Sequence, residues 1–172
     1  MSASSRSRRP AGGKIRTRDE LAGILARERG AGRTVAMANG LFDLLHVGHV
    51  RYLEAAAGEA DILVVAVNSD LSARGLKGPS RPILPERERA EIVASLESVD
   101  WVFVFEEPDA RESLRLLRPD VQCKGTDYTE TNVPEREVVL GYGGRIAIVG
   151  DPKDHATRDL ILDIARRFKD RA

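Results

Sequence analysis

The chain has 172 residues, 42% hydrophobic and 31% charged, which is ordinary for a globular domain with a sizeable core. Lysine plus arginine equal aspartate plus glutamate at 27 each, so the overall charge gives no reason to expect a nucleic-acid partner. The apolar runs have strand length, which argues against a membrane span, and a single cysteine, Cys123, excludes an internal disulfide and favours a reducing cytoplasm.

The N-terminal residues predict a disordered basic tail. Residues 1–14 are mostly Ser, Arg, Gly and Pro and have almost nothing to bury. No apolar segment follows the basic residues, so we expect no signal peptide and a cytoplasmic location. We expect residues 15–172 to form a single domain that begins with a helix, because Thr17 and Glu20 have capping-box spacing before an apolar periodic segment.

Residues 39–51 join the first predicted strand, residues 34–38, to a helix. The unpaired N–H groups at a helix start face outward and bind anions. His46 and His49 are three residues apart, so both imidazoles can project towards one point, and Gly48 lets a phosphate approach the backbone. This arrangement suits phosphoryl or nucleotidyl transfer, because fixed donors stabilise negative charge that builds on phosphorus oxygens.

Two other interpretations of the histidine pair remain. The two imidazoles would also serve to cap and pack a helix. A zinc site is less favoured, because the chain has three His and one Cys and no third ligand at a familiar spacing.

The rest of the chain alternates strand and helix patterns, which predicts an α/β, Rossmann-like, doubly wound sheet of five parallel strands. Residues 71–85 are rich in Gly, Pro and basic side chains and predict a long, functional, cationic loop. Neither a dinucleotide fingerprint nor a P-loop follows the first strand, so the phosphate chemistry rests on the histidine motif. The later predicted strands are residues 61–67, 99–105, 119–123 and 145–149, and the later predicted helices begin near residues 86, 108 and 135, with a final one through residues 160–168.

The pattern Gly-x-Phe-Asp-x-x-His-x-Gly-His resembles the signature of the cytidylyltransferase-like nucleotidyltransferases. Further segments between about residue 30 and about residue 168 look like one branch of that superfamily, the D-glycero-β-D-manno-heptose 1-phosphate adenylyltransferases. The signature is formed by Gly40, Phe42, Asp43, His46, Gly48 and His49, and the further segments are residues 67–70, Lys77, Gly78, residues 80–82, Arg89, residues 99–101 and residues 124–128.

The resemblance implies that ATP and a heptose 1-phosphate give ADP-heptose, a donor for lipopolysaccharide core and similar glycans, and pyrophosphate. No sugar-kinase domain precedes the signature, so a stand-alone enzyme is expected, and the resemblance also implies a homodimer. The sugar phosphate is already ionised and needs no general base. We expect Mg²⁺ to arrive with the triphosphate, since no carboxylate cluster offers a cage.

Roles for individual side chains follow from the motif and from the charges. Asp43 either fixes the loop or contacts the substrate. Related enzymes open the last helix with a Ser-Thr-Thr type run, whereas here only Thr157 keeps a hydroxyl, with Arg158 or His155 as a compensating cation and a simple helix cap as the alternative. The expected catalytic residues are His46, His49 and Lys77; the expected nucleotide contacts are Gly40, Leu41, Phe42, His46, Gly48, His49, Lys124, Thr157 and Arg158; and the expected substrate contacts are Asp43, Arg81, Arg89 and Asp127.

Two alternative functions stay open. One is another sugar- or alcohol-phosphate nucleotidyltransferase that uses CTP or GTP, such as a glycerol 3-phosphate cytidylyltransferase; residues 99–101 and 124–128 favour the heptose branch over it. The other is a non-catalytic nucleotide-binding or flavodoxin-like module, which the intact pair of His46 and His49 and the presence of Lys77 disfavour but the altered motif at the last helix leaves open.

Overall fold

Five parallel strands form one sheet within residues 9–152 and 156–169, the part of the chain that the computed structural model describes. The sheet order is β3-β2-β1-β4-β5, and every neighbouring pair is parallel. The predicted Rossmann-like architecture is therefore confirmed. The strands are β1 (Val35–Gly40), β2 (Ile62–Asn68), β3 (Trp101–Phe105), β4 (Val121–Lys124) and β5 (Arg145–Ile148), and the helices are α1 (Ala11–Lys14), α2 (Arg18–Gly30), α3 (Val47–Ala57), α4 (Asp70–Lys77), α5 (Glu86–Ser95), α6 (Arg111–Leu117), α7 (Arg136–Gly141) and α8 (Thr157–Phe168).

Helices cover both faces of the sheet, as continuous apolar strands require. Every residue of β2 is buried. On one face α3 and α5 pack against the sheet, and on the other face α2, α6 and α7 do so. Cys123 is buried in the first of these cores as a free thiol, as predicted, and burial raises its pKa to about 12.

The strand order reverses between β1 and β4, which lie side by side at the centre of the sheet. Ala36, Met37 and Ala38 of β1 pair with Val121, Gln122 and Cys123 of β4. Open α/β sheets bind their ligands in the crevice outside the carboxyl ends of the strands at this reversal. The residues that end β1 and β4 therefore form the floor of the expected binding crevice.

A helix occupies half of the segment that was predicted to be a loop. α4 begins after Ser69, whose hydroxyl accepts from the N–H of Ser72, and it ends at Gly78. Gly78 has φ +95°, a conformation that favours glycine. The prediction of a loop over residues 71–85 was wrong for its first half. Its Gly and basic residues are typical of a loop, but this part of the chain forms a two-turn helix that Ser69 caps.

Part of the predicted N-terminal tail is folded. Lys14 at the end of α1 donates from Nζ to the carbonyl oxygens of Leu96 (3.0 Å) and Val99 (2.7 Å), and α1 packs against α5. The guanidinium of Arg9 lies 4.4 Å from the ring centroid of Trp101. The tail boundary at residue 14 is thus corrected, and residues 1–8 of the predicted tail lie outside the described residues.

The last helix carries an apolar side that the described residues do not bury. Leu160, Ile164 and Phe168 are 41%, 52% and 52% exposed, and α8 has no buried residue. In its first turn, the hydroxyl of Thr157 donates a hydrogen bond to the main-chain oxygen of Asp43. Among the helices that the structure describes, none combines the length and apolarity that a bilayer crossing requires.

Candidate active site

The loop between β1 and α3 has a tightly determined backbone. Phe42 and Leu44 both have φ +50°, which is uncommon for residues with a side chain and is kept only where the surroundings demand it. The buried ring of Phe42 packs over Gly40, where a Cβ atom would come within 3.2 Å of ring atom Cε2. Gly40 is therefore needed for this close approach, and the loop delivers His46 to the start of α3.

The two histidines of the motif come together, as the sequence predicted. His46 is the N-cap residue of α3 and His49 is the third residue of the helix. Their rings stack with centroids 3.9 Å apart and planes inclined by 28°. The ring of Phe42 packs against His49 from another side, with centroids 5.5 Å apart.

The structure fixes which nitrogen of His49 can donate a hydrogen bond. Nδ1 accepts from the main-chain N–H of His46 at 3.3 Å, so the ring proton belongs on Nε2. Burial and the neighbouring His46 lower the pKa of His49 to about 4, against a smaller opposing effect of Asp43. His49 is therefore a neutral imidazole at neutral pH that presents an Nε2–H donor.

The first turn of α3 supplies further donors beside the imidazoles. Val47 and Gly48 occupy the first two helical positions, whose N–H groups have no partner within a helix. The main-chain N–H of His49 is already used, because it bonds the carbonyl oxygen of His46 at 2.9 Å. Donors and the positive end of the helix dipole therefore converge here, an arrangement that suits an anion, and we refer to these groups as the candidate anion site.

Asp43 fixes the loop rather than facing the crevice. Its carboxylate is 1% exposed and accepts from Arg81 Nε (2.7 Å) and from the N–H groups of Ile83 (2.9 Å) and Leu84 (3.0 Å). Burial alone would raise the pKa of Asp43, but these three donors together hold it below its ordinary value. Of the two roles left open by the sequence, the geometry supports the positioning role and replaces the expected substrate contact.

Arg89 departs from its expected role as a substrate contact. Its side chain is fully buried and donates to the carbonyl oxygens of Leu41 (2.6 Å) and Leu84 (2.9 Å) and to Asp70 (2.8 Å). A guanidinium that is enclosed and used on three sides cannot reach a ligand without leaving these partners. Arg89 therefore ties the carbonyl of Leu41, and with it the signature loop, to α4 and α5.

Of the two other predicted cations, Lys77 ends α4 and Arg81 lies on the following segment, which Asp43 holds. Lys77 is exposed at the carboxyl end of α4, three residues after Arg74. The side chain of Arg81 is 16% exposed and is aligned by Asp43. Lys77 can therefore approach a bound polyanion directly, whereas Arg81 has one of its donors committed to the protein.

Lys124 ends β4 in a largely enclosed environment. It is 6% exposed, its Nζ donates to Asn39 Oδ1 at 3.1 Å, and it lies 5.3 Å from the ring centroid of Tyr128. Nζ also lies 3.0 Å from Oε2 of Glu135, at an angle outside hydrogen-bond geometry, so this contact is ionic. The buried charge of Lys124 is thus neutralised within the protein, while Asp127, in the turn after it, is exposed.

Thr157 does not have the capping role that the sequence left open. Ala156, not Thr157, is the N-cap residue of α8, and the Thr157 hydroxyl donates to the main-chain oxygen of Asp43 at 2.8 Å. Its hydroxyl therefore does not cap the helix, and its expected contact with a phosphate stays a prediction. Arg158 follows on the exposed surface of the first turn, and His155 lies outside the described residues.

A carboxylate cage for a metal ion is not found in the described ranges. Within residues 9–152 and 156–169, no three His, Cys, Asp or Glu side chains converge on one point. Asp43, the carboxylate nearest to the histidine pair in sequence, is held by three protein donors. A divalent cation that is carried in by the triphosphate fits this donor set, because its ligands would be phosphate oxygens and water.

Three polar residues at or beneath the crevice floor could not be identified from the sequence. Asn39 and Gln122 lie on β1 and β4 and are hydrogen-bonded to each other, and Glu135 closes the cluster from beyond the turn after β4. The hydrogen bond between Asn39 and Gln122 joins residues that are 83 positions apart in the sequence. The one available signal was a polar Gln122 inside an otherwise apolar strand pattern.

Comparison with known proteins places the chain in a family. The model of the family described as cytidylyltransferase-like matches residues 37–159, from within β1 to the first turn of α8. A solved structure described as the lipopolysaccharide core biosynthesis protein from Thermoplasma volcanium GSS1 superposes with a TM-score of 0.63 at 30% identity, over 71% of this chain and all of that one.

The curated relatives are longer proteins. The chain is 46% identical over 156 residues to the bifunctional protein HldE of Syntrophotalea carbinolica and 45% identical over 155 residues to that of Geobacter sulfurreducens, in each case over 32% of the relative. HldE of Trichlorobacter lovleyi is 41% identical over 170 residues, 99% of this chain and 35% of that protein. The chain thus spans about a third of the length of these relatives. With the stacked histidines at the start of α3, these matches show that the chain belongs to the cytidylyltransferase-like family and is a nucleotidyltransferase.

Proposed function

We propose that the chain transfers the adenylyl group of ATP to D-glycero-β-D-manno-heptose 1-phosphate and releases pyrophosphate. The observation that carries the transfer chemistry is the stacked pair of His46 and His49 at the first turn of α3, in which His49 Nδ1 accepts from the N–H of His46 and leaves Nε2–H as a donor. Identities of 41–46% to proteins named HldE, together with residues 124–128, support the heptose substrate.

The chemistry requires little more than positioning and neutralisation. An oxygen of the sugar phosphate attacks the α-phosphorus, a P–O bond forms, and the bond to the pyrophosphate oxygen breaks. His49 Nε2–H, His46 and the N–H groups of Val47 and Gly48 stabilise charge on the α-phosphate oxygens. Lys77 offers an exposed ammonium to the incoming polyanions, while Asp43 and Arg89 hold the loops that carry these groups.

Mg²⁺ belongs to the proposal as part of the nucleotide complex. When bound, it neutralises the triphosphate that would otherwise repel a second phosphate. Excess chelator should abolish turnover, and added Mg²⁺ should restore it. Calorimetric titration of the nucleotide-free protein with Mg²⁺ should show no heat of specific binding. Full activity in excess chelator would contradict this part of the proposal. The predicted homodimer stays a prediction.

A panel of triphosphates and acceptors tests the proposed specificity. Pyrophosphate release should be fastest with ATP and heptose 1-phosphate, and slower with CTP, with GTP or with glycerol 3-phosphate. Preference for CTP and glycerol 3-phosphate would favour the alternative transferase. Nucleotide binding without pyrophosphate release from any pair would favour a binding module.

A further inference from the structure

We infer that Asn39 is a ligand-binding residue, and that its side-chain amide donates a hydrogen bond to a hydroxyl or phosphate oxygen of a bound sugar phosphate group, carried by either the nucleotide or the acceptor. Asn39 lies near the end of β1, next to Gly40 and at the strand reversal, where the crevice floor is expected. It is partly exposed, unlike the four fully buried residues that precede it in β1. The identity of the ligand rests on the proposed function.

The orientation of the Asn39 amide is set by Lys124. An ammonium group can only donate, so the atom of Asn39 that faces Lys124 Nζ at 3.1 Å must be the oxygen Oδ1. Gln122 donates from Nε2 to the same oxygen at 2.9 Å. Two donors therefore converge on Oδ1, and the amide nitrogen Nδ2 points away from both.

A buried orphan atom supports this orientation. Gln122 is fully buried, and its Oε1 has no hydrogen-bond partner among the described residues. If the Asn39 amide were flipped, its Nδ2 would point inward and could donate to Gln122 Oε1 after a flip of the Gln122 amide. The same flip would, however, place an N–H group of Asn39 against the ammonium of Lys124. The charge of Lys124 therefore favours the arrangement in which Asn39 Oδ1 points inward. In this arrangement Gln122 Oε1 has no hydrogen-bond partner among the described residues.

Glu135 keeps Lys124 in place from behind. Its carboxylate is 3% exposed and lies 3.0 Å from Nζ, so the ammonium is pinned between Glu135 and Asn39. Glu135 and Lys124 thus act as positioning residues for Asn39. They hold its amide nitrogen on the open side, and no described residue accepts from that nitrogen.

A donor in this place recognises an acceptor oxygen. The ribose and phosphates of the nucleotide and the hydroxyls and phosphate of the acceptor sugar both offer such oxygens, and the crevice between β1 and β4 adjoins the candidate anion site at α3. An amide donor adds orientation without further charge, which suits a hydroxyl or phosphate oxygen beside the buried cation. The experiment separates the two sources.

The first measurement follows the side-chain amide of Asn39 in the ¹⁵N-labelled wild-type protein by NMR, with its signal assigned from its absence in Asn39→Asp. Titration with the Mg²⁺ complex of ATP and, separately, with heptose 1-phosphate should shift this signal for one of the two ligands. That ligand is then the source of the oxygen. Absence of a shift with both ligands would overturn the inference.

The second measurement compares variants. Asn39→Ala removes the amide donor, and Asn39→Asp replaces it with an acceptor of the same shape. Gln122→Met is the control, because it changes a buried partner of Asn39 that does not face the crevice. Both Asn39 variants should weaken binding of the same ligand at least about tenfold, whereas Gln122→Met should lower the melting temperature and leave both affinities within about twofold. Wild-type affinities in folded Asn39→Ala, or equal losses in Gln122→Met, would overturn the inference.

Calorimetric affinities and NMR shifts do not require turnover, so the inference and the proposed function can fail separately. A protein that binds ATP through Asn39 but transfers nothing to heptose 1-phosphate contradicts only the proposed function. A protein that makes ADP-heptose normally with Asn39→Ala contradicts only the inference.

Discussion

The hydroxyl of Thr157 donates to the main-chain oxygen of Asp43 at 2.8 Å, a bond that joins the first turn of α8 to the signature loop across 114 residues of sequence. The carboxylate of the same Asp43 holds Arg81 and the backbone at Ile83 and Leu84. One residue therefore connects the three segments that surround the candidate anion site. We expect nucleotide binding to depend on these connections as well as on groups that touch phosphate.

Thr157→Val should show whether the hydrogen bond between Thr157 and Asp43 supports nucleotide binding. The substitution keeps the shape of the side chain and removes the hydrogen bond to Asp43, at a cost of about 1 kcal/mol of stability. The start of α8 then loses its tie to the loop, so affinity for ATP should fall more than affinity for AMP. Titration of both nucleotides measures the difference, with Thr157→Ser, which keeps the hydroxyl, as the matched control. Unchanged ATP affinity in Thr157→Val would show that the tie has no part in binding.

His49→Ala should leave the fold intact and lower kcat about a hundred- to a thousandfold. The substitution removes the Nε2–H donor, and loss of one such transition-state donor costs about 2.7–4 kcal/mol. His46→Ala should behave similarly because the two rings form one stacked unit. Steady-state kinetics with circular dichroism as a folding check measures the effect. Near-normal turnover in soluble His49→Ala would refute the catalytic assignment.

The lowered pKa of His49 predicts a pH dependence of stability. The imidazole titrates near 6.5 in an unfolded chain and near 4 in the folded protein. Between these values the unfolded state binds more protons, so the contribution of His49 is fully present above about pH 6.5 and is lost as the pH falls towards about 4.

Urea unfolding at pH 7 and at pH 5 tests this dependence, with His49→Gln as the comparison. The wild type should lose more stability than His49→Gln between the two pH values. Equal losses would mean that His49 is not held neutral by its surroundings.

Asp43→Asn should weaken both the fold and the handling of the acceptor. The change leaves Arg81 without its ionic partner and sets an NH₂ group against at least one N–H group that the carboxylate accepts from. Breaking a buried pair in this way costs about 3–5 kcal/mol. The segment that carries Lys77 and Arg81 should loosen, so KM for the sugar phosphate should rise.

Asp151→Asn is the matched control for Asp43→Asn. Asp151 pairs with Arg51 at 2.8 Å, but both side chains are about half exposed, and such a pair is worth about 0–1 kcal/mol. Melting temperatures and KM values of the two variants decide the point. If both variants changed the melting temperature and KM only slightly, the burial of Asp43 would not contribute to stability or to binding of the sugar phosphate.

The features that were predictable from the sequence are local ones. Strand β2 reads as a continuous apolar run because both of its faces are covered, and the signature places His46 and His49 within one helical turn. Both features depend on residues a few positions apart. The sheet and the histidine pair were therefore predictable without any knowledge of tertiary contacts.

The features that escaped prediction depend on distant partners. Arg89 looks like a surface cation in sequence, yet it is buried because the carbonyl of Leu41, 48 residues away, lies opposite it. Lys14 is placed by carbonyl groups more than 80 residues away. The charge of Lys124 is neutralised by Glu135, which the pattern marked only as the start of a helix. Charged residues are hard to place from sequence because burial depends on whether such a partner exists.

The most direct test of the central claim is to follow the α-phosphate of ATP. The protein is incubated with Mg²⁺, α-³²P-labelled ATP and heptose 1-phosphate, and the products are separated by chromatography. The proposed transfer predicts that the label moves into a sugar nucleotide in a 1:1 ratio with released pyrophosphate, and that this is nearly abolished in His49→Ala. Label that stays in ATP or appears only as AMP, or an equal yield of sugar nucleotide from His49→Ala, would contradict the proposed transfer.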